Sequence, residues 1–134
     1  MADVGFSTGC LHKSGFSISD MVKHYFEIGA TALELNLATI QQLREFNPGY
    51  IKKYFCQFNR ITIHAPFKDM IYSTSNEQTY EILDKLREIY SSLPIDYIII
   101  HPHRVEDFLI IEDTGLPFLI ENMDSKKDKG ISAA

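Results

Sequence analysis

The sequence predicts an α/β protein built on about five parallel strands with helices between them. Three observations carry this. Tyr97-Ile98-Ile99-Ile100 is a run of β-formers without polar interruption, the mark of a strand buried on both faces, which occurs mainly in parallel sheets covered by helices. Short apolar runs of this kind recur and alternate with segments of helical periodicity. The clearest runs end in side chains that bind metals or move protons: His64 after Arg60-Ile61-Thr62-Ile63, His101 after Ile100, and Glu121 after Pro117-Phe118-Leu119-Ile120. The carboxyl ends of parallel strands are where α/β sheets and barrels place ligands.

Taken in order, residues 4–9 read as a first strand closed by Gly9, followed by a polar loop with His12, Lys13 and Ser14. Ser17 or Ser19 can cap a helix through Met21, Val22, Tyr25, Phe26 and Ile28, which Gly29 stops. His24, inside this helix, reads as a solvent-face or partly packed residue. Residues 32–36 form a shorter second strand, Ala-Leu-Glu-Leu-Asn. Thr39 with Gln42 makes a capping box for a short helix carrying Ile40, Leu43 and Phe46. Asn47-Pro48-Gly49 breaks it, and Ile51, Tyr54, Phe55 and Phe58 give a second helical piece its apolar stripe.

After the third strand, the loop from Ala65 to Thr74 is long for a βα connection and is a candidate for covering a site. Ser75 with Gln78 reads as another capping box. The helix behind it sets Ile82, Leu86, Ile89 and Leu93 on one face, with Glu81, Asp84, Lys85 and Glu88 outward, until Pro94 ends it. Between Arg104 and Leu116 there is room only for a short helix through Val105, Phe108, Leu109 and Ile111, closed by Thr114-Gly115. Pro117 then starts the last strand.

At 134 residues the chain has the size of one domain, residues 1–134, with enough length to bury a core. An apolar fraction of 45% and a charged fraction of 23% are ordinary for a folded soluble protein. The net charge of -5, from 13 Lys+Arg against 18 Asp+Glu, offers no footprint for a polyanion, and Asp124 and Asp128 interrupt the terminal lysines. Cys10 and Cys56 are too few for a disulfide framework and lack zinc-finger spacing, which argues for a reducing, cytoplasmic setting. A signal peptide and a membrane span are both rejected on pattern.

The chemistry concentrates on His64, His101 and Glu121. Alternation puts Thr62 with His64, Ile99 with His101, and Leu119 with Glu121. If these sides face one way, two imidazoles and a carboxylate meet at the carboxyl end of the sheet, a donor set suited to Zn²⁺, Mn²⁺ or Fe²⁺ with a position left open. The competing reading is an internal ion-pair network in which Arg60, Arg104 or a lysine neutralises Glu121. Glu34 is a further ligand, a base or a sugar-binding group, or else an inward polar residue paired with Asn36 or a neighbouring histidine. His12 and His103 are loop residues within reach of the same mouth.

Ile61-Thr62-Ile63-His64-Ala65-Pro66, Ile98-Ile99-Ile100-His101-Pro102 and Leu119-Ile120-Glu121-Asn122-Met123-Asp124 resemble strands three, four and five of the xylose isomerase-like TIM-barrel superfamily. Ala32-Leu33-Glu34-Leu35 resembles its second strand and Gly5-Phe6-Ser7-Thr8-Gly9 its first. That superfamily contains sugar isomerases and epimerases together with endonuclease IV type apurinic-site nucleases. The resemblance implies a partial (β/α)8 barrel and a divalent metal, zinc or manganese. In the nuclease branch it makes His64, His101 and Glu121 the ligands of one zinc, with Glu121 bridging to a second. In the isomerase branch the resemblance makes Glu121 a ligand of the single divalent metal, the only position that the two branches share. Glu34 and Glu121 are then the candidate catalytic carboxylates, and His12, His103 and Asn122 the candidate substrate-binding residues. His103 stands where the family has glycine.

The family barrel has eight strands in roughly 250 residues, and the resemblance here stops after the fifth. Counterparts of the ligands drawn from strands six to eight are missing, so the sequence reads as the N-terminal part of a barrel, truncated or completed by another chain. The implied function is that of a metal-dependent sugar or sugar-phosphate isomerase or epimerase. The alternatives are an apurinic-site hydrolase, which the acidic charge disfavours, and a catalytically silent half-barrel acting in assembly. A half-barrel would expose strand edges and apolar surface, which implies a homo-oligomer or a complementary barrel fragment as partner.

Overall fold

The computed structural model describes residues 5–8 and 17–121, within which the chain alternates strand and helix throughout. The strands are β1 (Gly5–Ser7), β2 (Ala32–Asn36), β3 (Arg60–His64), β4 (Tyr97–Ile100) and β5 (Phe118–Ile120). They pair in parallel in the order β1-β2-β3-β4-β5, so β3 is central and β1 and β5 are the edges. The helices are α1 (Ile18–Glu27), α2 (Ile40–Glu45), α3 (Pro48–Ile51), α4 (Glu77–Ser92) and α5 (Leu109–Glu112).

Strict sequential order has a geometric consequence. Parallel crossovers are right-handed, so stepping in one direction across the sheet puts every connection on the same side. The burial pattern agrees. Leu33, Leu35, Ile61, Ile63, Ile98 and Ile100, one alternating set, join the core cluster with Met21, Val22, Leu43, Ile82, Leu86 and Ile89 of the helices. The other set, which includes Ser7, Glu34, Thr62 and Ile99, is only half-buried, and Tyr97 and Leu119 are exposed at 43% and 46%. The sheet is therefore two-faced from β2 to β4, dry against its helices and open opposite them, while on the edge strand β5 the helix-side Ile120 is itself 55% exposed.

Local chemistry sets the helix boundaries. Ser17 caps α1 by accepting from the Asp20 N–H, and Gly29 (φ 83°) supplies the left-handed residue after its C-cap. His24 is exposed on this helix, the first of the two placements its position in the pattern allows. Thr39 and Gln42 form the expected capping box on α2. Two expectations need correction. Asn47-Pro48-Gly49 does not merely break a helix: Asn47 caps the one-turn α3 with Pro48 at its start, and the stripe from Ile51 to Phe58 continues as a 3₁₀ turn over Lys52–Gln57. The cap of α4 is Asn76, which accepts from the Gln78 N–H, because the Ser75 hydroxyl is engaged with Ser73 Oγ at 2.9 Å. Arg44 of α2 clasps Glu81 of α4 through two short hydrogen bonds of 2.6 and 2.8 Å, tying neighbouring helices at the surface.

The Ala65–Thr74 loop is pinned. Tyr72 is fully buried, pairs as an isolated parallel bridge with Val105, and donates its hydroxyl to the Pro66 carbonyl at 2.7 Å. Burial pushes its phenol well above the ordinary value of 10.0, so it stays neutral as a donor. Tyr72→Phe is expected to cost about 1–2 kcal/mol by leaving that carbonyl unpaired. The sign of the pH effect follows from the raised value: the phenol's contribution is intact below about pH 10 and is lost as pH rises beyond it. Chemical denaturation at pH 8 and pH 11 should therefore show a smaller alkaline loss in Tyr72→Phe than in the parent.

Candidate metal centre

His64 is the last residue of β3, His101 follows the last residue of β4, and Glu121 follows the last of β5. The strand register stops each apolar run on one rim, and alternation turns the three side chains toward the open face of the sheet. Pro102 ends β4 and starts a 3₁₀ turn over Pro102–Arg104, which fixes where His101 leaves the strand.

The three donors converge. His64 Nε2 lies 2.9 Å from His101 Nε2, His101 Nε2 lies 3.0 Å from Glu121 Oε2, and His64 Nε2 lies 3.6 Å from the same oxygen. Both histidines are buried, at 8% and 7% exposure, and Glu121 is half-buried. His64, His101 and Glu121 thus form a group that could hold a metal ion.

A physical test of fit supports the donor set. Ligands bonded at about 2.0–2.1 Å stand roughly 3.3–3.4 Å apart when tetrahedral and roughly 2.9–3.0 Å apart when octahedral and adjacent. The observed 2.9–3.6 Å spans both arrangements, so the spacing fits a cation without selecting one. The tautomer fits too. His64 Nδ1 is 3.1 Å from the Ala65 carbonyl, and a carbonyl can only accept, so Nδ1 carries the proton. In the neutral ring that leaves the Nε2 lone pair directed at the group, the arrangement seen in metal-ligating histidines.

Phe67, from the pinned loop, packs against both rings, with centroids 5.1 Å from His64 and 4.3 Å from His101. It supplies an apolar wall that shields the imidazoles on one side. The sequence marked the loop as a cover but not this residue, whose only signal was its place one step after Pro66. His103 is exposed and stands edge-on to His101 at 5.5 Å, on the outer rim of the site.

Glu34 is not part of the cluster. It pairs in register with Thr62, one layer below His64, and Ser7 Oγ donates to its Oε1 at 3.3 Å. With Ser7, Arg60 and Thr62 it lines a shallow cavity of about 270 Å³. The partner seen is Ser7, where the sequence pointed to Asn36 or a neighbouring histidine. His12 and Asn122 lie outside the described residues, as does Cys10. Arg60 and Arg104 make no ion pair with Glu121, whose partners include His64 and His101. Cys56 is exposed and free, and among the described residues no helix is long and apolar enough to cross a membrane.

Fold and site together define an α/β protein with a five-stranded parallel sheet and a candidate metal group at its carboxyl rim. Compared with family models, curated proteins and solved structures, the chain matches none of them.

Proposed function

We propose that this chain forms the first five units of a (β/α)8 barrel of the xylose isomerase-like type and serves a metal-dependent sugar or sugar-phosphate isomerase or epimerase. The observation that carries this reading is the convergence of His64 Nε2, His101 Nε2 and Glu121 Oε2 within 3.6 Å. The sequential, singly wound sheet supports the barrel part: a sheet with helices on one face buries its other face by curving on itself.

In this reading His64 and His101 give neutral imidazole lone pairs and Glu121 gives the negative charge. Together they would hold a divalent cation, zinc or manganese, which when bound would polarise a hydroxyl or phosphate oxygen and lower the pKa of bound water. Phe67 excludes water from one side of the imidazoles, which strengthens polar interactions on the other. Glu34, a layer below, is the carboxylate available for proton transfer. The acidic chain favours a small, hydroxyl-rich substrate over DNA.

A second reading is a catalytically silent half-barrel that acts in assembly, favoured by the exposed Tyr97 and Leu119 on the open face. Assays on a panel of aldoses, ketoses and their phosphates, and on a duplex with one apurinic site, separate the readings. Metal-dependent isomerisation supports the first. Strand cleavage moves it to the nuclease branch, and metal uptake without turnover on any substrate favours the second.

A further inference from the structure

Asn36 is the last residue of β2 and pairs in register with His64. Alternation sets its side chain on the same face as Glu34, beside the first candidate ligand. Its backbone N–H is satisfied by Thr8 Oγ1 at 2.8 Å. Its side chain is not: Oδ1 is buried, and no donor among the described residues reaches it. A buried carbonyl oxygen without a donor carries its desolvation cost uncompensated, and an apolar residue would be more stable there. Groups of this kind belong where stability yields to ligand binding.

Reach decides what the oxygen does. An asparagine is shorter than a histidine measured to Nε2, so from the neighbouring strand its amide stops short of the point where the two Nε2 atoms meet. A hydroxyl bound at the centre is a donor of the kind that this oxygen lacks.

We propose that Asn36 is a positioning residue of the candidate metal centre, its Oδ1 accepting a hydrogen bond from a hydroxyl held at the open position. That hydroxyl comes from water or from a substrate, and the acceptor selects ligands that bring an O–H over those that offer lone pairs only. The role rests on reading His64, His101 and Glu121 as metal ligands.

The test uses Co²⁺, whose visible absorption reports its coordination. Parent, Asn36→Ala and Asn36→Asp proteins are loaded and titrated with glycolate, which carries a hydroxyl, and with acetate, which does not. Asn36→Ala is expected to lose about tenfold in glycolate affinity, with Co²⁺ and acetate affinities unchanged. Asn36→Asp, which keeps an acceptor, retains the preference for glycolate. A ligand-free Asn36→Ala spectrum that differs from the parent assigns the hydroxyl to water, and an unchanged one assigns it to the added ligand. The metal-free Asn36→Ala protein should melt at the parent's temperature or above it, since it loses an unpaired buried group. Equal losses for both ligands, no loss for glycolate, or a lower metal-free melting temperature overturns the role of Asn36 alone. Absence of Co²⁺ uptake by the parent removes the metal centre and the role of Asn36 with it.

Discussion

Replacing His101 with alanine is expected to abolish metal uptake. His101 is the only one of the three residues whose reactive atom stands within 3.0 Å of both others, so its loss leaves His64 Nε2 and Glu121 Oε2 at 3.6 Å and takes away one of the three donors that the described residues bring to the group. Loss of an outer partner of a metal site typically costs about 10–100-fold in affinity, and loss of a direct ligand should exceed that. The effect is measurable in two ways. Protein purified without chelator should carry near-stoichiometric metal in the parent and background metal in His101→Ala. A metal present at about 100 times its dissociation constant stabilises by about 2.7 kcal/mol, or roughly 10 °C for a domain of this size, and the variant should lose that shift. Uptake should also weaken in acid, because protons compete for the imidazole lone pairs. A purely structural network predicts otherwise: equal metal content in both proteins and a metal-independent drop in stability for the variant. That outcome would return Glu121 to the role of an internal ion-pair partner.

Much of this was legible in the sequence because it depends on short-range pattern. The apolar runs ending in His64, His101 and Glu121 name their strands and their polar ends, and parallel pairing then makes those ends neighbours. The capping box at Thr39 is equally local. What the pattern does not carry is register and the choice among competing caps. Asn76 displaces Ser75 as the cap of α4 because Ser73 captures the serine, a contact that exists only once the loop has folded. Glu34 pairs with Ser7, and not with Asn36, because β1 and β2 align Ser7 opposite Glu34. Phe67 becomes part of the site through the Tyr72 hydrogen bond to Pro66 and the Tyr72–Val105 bridge, which hold its loop against the strand ends. Each of these depends on residues brought together from distant segments, which alternation and propensity do not encode.

The two faces of the sheet should answer mutation in opposite ways. Ile63 lies on the central strand with no exposed surface, packed into the cluster that joins strands to helices. Ile63→Ala removes buried methyl and methylene groups and leaves a cavity, at an expected cost of about 2–5 kcal/mol, or a fall of roughly 10 °C or more in melting temperature. Leu119 lies on β5, an edge strand, and is 46% exposed on the open face near Ile99 and Tyr97. Leu119→Lys buries no charge and should change stability by no more than about 0.5 kcal/mol. It should instead change association. Parallel strand edges and an apolar open face favour pairing with a second copy or with a complementary barrel fragment, and a lysine there opposes both. Sedimentation of the parent across a concentration series should show reversible self-association that Leu119→Lys shifts toward the monomer, while Ile63→Ala lowers stability without that shift. A parent that stays monomeric throughout, with Leu119→Lys melting far below it, would mean that this face is packed as tightly as the other and that the sheet is not one-sided.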